Sequence, residues 1–120
     1  MGVNDVAAEG ANYTTNIPYM LDMISAWITG KWVICKLLPV ADGVAPSTLS
    51  NAKIDVINQS IASKFSGRPG IALVDVKSTL APSGQLLSSY SIDGLHLNAS
   101  GYDVLSAAIA AGMGAVGIAA

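Results

Sequence analysis

With 120 residues, 52% of them apolar and 12% charged, the chain has material for one hydrophobic core and not two. That balance excludes an acidic or basic disordered tail. A net charge of −2 offers no electrostatic footprint for nucleic acid or an anionic membrane surface.

Taken in order, Ile17, Met20, Leu21, Ile24, Trp27 and Ile28 recur at helical spacing, with Pro18 placed in the first turn and Gly30 as the stop. Residues 31–38, KWVICKLL, form a continuous apolar run ended by Pro39 and read as a strand buried on both faces. Cys35, the sole cysteine, excludes an internal disulfide and reads there as a buried thiol acting as a small hydrophobe. Residues 39–47 are loop, and Ser47 is the expected cap of a second helix with the buried stripe Ile54, Ile57, Ile61 and Phe65. Gly67, Pro69 and Gly70 end it before a second buried strand, residues 71–76. Residues 77–91 read as loop with one short helical turn, and a last helix begins near Asn98 or Ser100 and turns Leu105 and Ile109 inward. The uncharged tail, residues 106–120, is too short and too rich in glycine and alanine to span a bilayer and is expected to fray. The opening MGVNDV carries no signal-peptide pattern. Strands alternating with helices imply a parallel sheet, whose ligands bind at the carboxyl ends of the strands.

Two motifs carry chemistry. His96, the only histidine, stands three residues after Asp93 in SIDGLHLNASGY. A carboxylate bonded to one ring nitrogen fixes the tautomer and leaves the other nitrogen free to take a proton. Alone, the spacing also fits an aspartate that merely stabilises a turn beside an ordinary half-buried histidine. A metal site would need a third ligand, and there is no other histidine and no second cysteine. The second motif is GVND, residues 2–5: an asparagine amide can donate to an oxyanion, and a neighbouring glycine allows a tight turn. By itself it is also a common turn.

Together, GVND and DGLHLNASGY resemble the third and fifth blocks of the SGNH hydrolases, the GDSL esterase and lipase family, in order, separation and intervening elements. The resemblance implies a flavodoxin-like three-layer α/β/α sandwich with a parallel sheet and a Ser-His-Asp mechanism that needs no cofactor or metal. It casts His96 as general base, Asp93 as its orienting partner and Asn4 as an oxyanion-hole donor. Gly2, Asp5, Asn98, Gly101 and Tyr102 would shape the surrounding turns and the helix start. The implied substrate is a small-molecule ester or acetylated glycan, with no nucleic acid partner and no membrane span. A secreted or periplasmic setting is what the family resemblance favours.

The family's G-D-S block, with the nucleophilic serine, and the second block, with an oxyanion-hole glycine, do not occur in these 120 residues. None of the thirteen serines lies in a G-D-S or G-x-S-x-G setting, and Ser78, in DVKSTL, lacks the sharp glycine turn of a nucleophile. The expectation is therefore residues 1–120 as the C-terminal portion of a single SGNH-like domain, its N-terminal strands supplied elsewhere and the isolated chain inactive. The alternative is a noncatalytic module that binds glycan or a protein partner.

Overall fold

The protein is described by a computed structural model covering residues 12–44 and 49–119. Helix α1 spans Tyr13–Trp27. Pro18 falls in its second turn rather than the first, where it has no amide to donate to the carbonyl of the exposed Thr14. Only Ile17 and Leu21 of the expected stripe are buried; Ile24 is exposed and Trp27 is 79% exposed.

Strand β1 is Trp32–Cys35, shorter than the apolar run, with Trp32 and Cys35 exposed at its ends and Val33 and Ile34 half-buried. Cys35 is thus not the buried thiol expected from its neighbours, although nearby atoms still push its thiol above the ordinary value by desolvation. Helix α2, Asn51–Phe65, starts one turn later than expected, because Ser50 accepts the Lys53 amide at 3.3 Å. Ser47 lies outside the described residues. Ile54, Ile57, Ile61 and Phe65 are all buried, as their spacing predicts.

Strand β2, Ile71–Val74, pairs parallel with β1 in the register Trp32↔Ile71 through Cys35↔Val74. A single helical turn, α3 (Lys77–Leu80), and a 3-10 turn over Ser88–Tyr90 follow. Helix α4 runs Ala99–Ala115. It does not fray from residue 106: Gly112 is buried against Val33 and Val74, where the lack of a side chain lets the helix lie close to the sheet.

The chain is therefore an α/β fold in three layers, and alternate strand residues divide between two cores. Ile34, Ile71 and Leu73 pack with Ile17, Leu21 and the α2 stripe on one face. Val33 and Val74 pack on the other with Leu80, Leu97 and the Leu105 and Ile109 of α4. No helix among the described residues is long and apolar enough to cross a membrane.

Candidate active site

Residues 36–41, which leave the carboxyl end of β1, are held by two asparagines seven positions apart on α2. Asn58, buried, accepts the Leu37 amide at 2.7 Å and donates to the Leu37 carbonyl at 3.0 Å. Asn51 does the same with Val40, at 2.9 and 2.7 Å. Each side-chain amide replaces a strand partner for a backbone that would otherwise be left unsatisfied. The next amide, of Ala41, donates to the Gly94 carbonyl at 2.7 Å and so ties this segment to the loop holding Asp93 and His96. On the other side, Leu97 packs with Val76 and Leu80, which follow β2. The loop thus lies at the edge where open parallel sheets bind ligands.

The loop is a narrow hairpin closed by a bridge between Ser91 and Leu97. Gly94, at φ +83°, makes its turn; a side chain there would be strained and would run into Ala41 and Val44. One carboxylate organises the interior. Asp93 Oδ1 accepts the amides of His96 at 2.7 Å and Leu95 at 2.9 Å, and Oδ2 lies 2.6 Å from His96 Nδ1. The His96 amide, the His96 ring and the Leu95 amide hold the Asp93 carboxyl well below the usual carboxylate range. An ionised carboxylate can only accept, so in the neutral ring Nδ1 carries the proton and Nε2 carries the lone pair. The His96 side chain is 67% exposed, more open than a half-buried histidine, and can receive a proton from a reactant.

Asn98 caps α4. Its Oδ1 accepts the Gly101 amide at 3.0 Å and its Nδ2 donates to the Ser89 carbonyl at 2.9 Å, anchoring the helix start to the 3-10 turn. Gly101 is buried against the Tyr90 carbonyl, where a side chain would collide with backbone. Tyr102 is exposed. Gly2, Asn4 and Asp5 lie outside the described residues.

Ser78 is an exposed residue of α3. It lines a cavity of about 430 Å³ with Asp75, Lys77, Ala81, Pro82 and Gly84; neither Asp93 nor His96 lines it. Nearby, Lys36 bonds Asp75 at 2.7 Å and Lys77 bonds both oxygens of Asp55 at 2.6 and 2.7 Å. Partial burial raises the Asp75 carboxyl, but the Lys36 ammonium and the Lys77 amide outweigh it and hold the group below its ordinary value. These lysines already have carboxylate partners. Among the described residues no group of three His, Cys, Asp or Glu side chains converges as a metal ion would require.

Sequence reasoning singled out the pair but missed what secures it. A signal for Ser91 was present, since serine two residues before Asp-Gly is a turn-forming pattern. Asn58 interrupts an apolar stripe and could have been flagged for that reason. Ala41 bonds through its backbone and leaves no trace in the sequence.

The fold and the loop define a layered α/β protein with an exposed, carboxylate-oriented imidazole at the carboxyl edge of its sheet. No family model matches the chain, and no curated protein matches it. A solved structure from Streptococcus pneumonia, provisionally named a platelet activating factor, is similar, with a TM-score of 0.74 and 26% identity. The match covers 92% of this chain and 56% of that one, so the chain spans little more than half of that protein's length.

Proposed function

We propose that Asp93 and His96 are the acid and base of a serine ester hydrolase centre of the SGNH type, whose serine lies on polypeptide outside these 120 residues. The observation that carries this reading is the single carboxylate that binds both the His96 ring and the His96 amide, which sets the imidazole before any substrate arrives. The likeness to a protein with further chain beyond the shared part supports it. In the reaction, His96 Nε2 takes the proton of the serine hydroxyl as its oxygen bonds to the ester carbonyl carbon. Asn4 donates to the resulting oxyanion. Collapse breaks the bond to the alcohol oxygen, which leaves with the proton from Nε2. Water, deprotonated by the same nitrogen, then releases the acid and the serine.

The test compares the 120-residue chain with the same chain joined to a strand bearing the G-D-S turn and the second family block. Nitrophenyl acetate, an acetylated glycan and platelet activating factor serve as substrates. Turnover is expected only in the joined protein, and Asn4→Ala should lower its kcat by about 10²–10³ with little change in KM. A folded joined protein that hydrolyses none of them, yet binds the glycan, would replace this reading with the noncatalytic module. Turnover by the chain alone that disappears in Ser78→Ala would move the nucleophile to Ser78.

A further inference from the structure

Packing does not hold the Asp93–His96 pair: the two side chains are 49% and 67% exposed, and an ion pair that open gains little from its own attraction. Something else must keep its geometry. Ser91, the buried polar residue at the base of the hairpin, has one hydroxyl that serves both ends of the span between the partners. Its Oγ accepts the Gly94 amide at 2.5 Å and donates to the His96 carbonyl at 3.0 Å. The first bond fixes the peptide plane just after Asp93, and the second fixes the backbone of the histidine itself. The His96 carbonyl also accepts the Ile92 amide at 3.0 Å, which closes the hairpin around the hydroxyl.

We propose that Ser91 is a positioning residue for the general base: its hydroxyl locks the Asp93–Gly94 peptide and the His96 backbone so that Asp93 holds the imidazole in the Nδ1–H tautomer. The functional meaning of this rests on the ester-hydrolase reading, but the geometry can be read without any turnover. Removing the hydroxyl leaves the Gly94 amide without its acceptor, and the peptide at a left-handed glycine is then free to rotate. Asp93 moves with that peptide, and its bidentate hold on His96 loosens. No substrate contact is lost, so the change appears first in the ring.

With one histidine in the chain, the imidazole nitrogens give one pair of signals. The experiment is ¹⁵N NMR of histidine-labelled full chain at a pH where the ring is neutral. The wild type should show distinct protonated Nδ1 and bare Nε2. Ser91→Ala should show both shifts drawn together by tautomer averaging, and Ser91→Thr, which keeps the hydroxyl, should restore the wild-type pattern. A folded Ser91→Ala with an unchanged single tautomer overturns the proposal, as does Ser91→Thr failing to restore it in a folded protein. Should Ser91→Ala not fold, amide exchange in the wild type decides: slow exchange at Gly94 upholds the bond to Ser91, and exchange at the rate of an open peptide overturns it. Absent ester hydrolysis by the folded joined protein, beside a single tautomer that Ser91→Ala averages, would sink the hydrolase reading and leave the role of Ser91 standing.

Discussion

The hairpin of residues 91–97 and the face built by α1 and β1 are both open to water, yet they are held by opposite means. The hairpin has little apolar burial apart from Leu97, and its shape comes from a closed set of hydrogen bonds around Ser91 and Asp93. The α1–β1 face has the reverse mixture. Met20, Met23, Ile24, Trp27, Ile28 and Trp32 line an apolar groove of about 610 Å³, and Trp27, Trp32, Met23 and Ile24 remain exposed. Directional bonds can organise an exposed segment because each is satisfied locally, whereas apolar side chains contribute only when something covers them. The order of a segment is therefore no guide to its burial here.

Substitutions on each side can break or sharpen that contrast. The largest effect is expected from Asp93→Asn in the joined protein. An amide would offer the ring a donor as well as an acceptor and lose the fixed tautomer, and turnover should fall by up to about 10⁴, the cost of the corresponding change in the serine-protease triad. Steady-state nitrophenyl acetate kinetics check this, and a fall of less than about tenfold would mean that the loop backbone alone orients His96. On the covered side of α2, Ile57→Ala should cost about 2–5 kcal/mol, read by urea unfolding, because Ile57 is 0% exposed and the hole it leaves cannot fill completely. Asn98→Ala should cost about 1 kcal/mol by removing the cap of α4. On the open face, Trp27→Ser should shift stability by no more than about 0.5 kcal/mol, read by urea unfolding. A large loss of stability there would show that the groove is already covered in solution.

The response to pH follows from the lowered Asp93 carboxyl. A group lowered on folding contributes stability that is present above its unfolded value, about 3.8, and is lost as the pH falls through the lower folded value. The hairpin bonds should then be at full strength across the range of an ester assay. The Leu95 and His96 amide signals should therefore persist in spectra between pH 8 and 5, and their loss within that range would contradict the carboxylate's role.

Much of this contrast was legible in the sequence, and its limits have physical causes. The α2 stripe was readable because a helix buries positions at a fixed period, and the Asp93–His96 pair because a three-residue spacing in a turn brings a carboxylate to an imidazole. The exposure of β1 was not readable: an apolar run does not reveal whether a neighbour lies beside it, so Cys35 and Trp32 looked buried. The persistence of α4 to Ala115 was hidden because Gly112 packs by close approach, which leaves no hydrophobic pattern. Pro18 was placed a turn too early, since one missing amide does not stop α1 from starting at Tyr13. Asn4, Gly2 and Asp5 lie outside the described residues, and their roles rest on the motif alone.

The measurement that bears most directly on the central claim is nitrophenyl acetate turnover by the joined protein with and without His96→Ala. The His96 side chain is exposed, so the variant should keep close to the wild-type melting curve. A general base contributes about 10²–10⁴-fold, and kcat/KM should fall by at least that range's lower end. A folded His96→Ala protein that keeps most of its activity would contradict the assignment of His96 as the base.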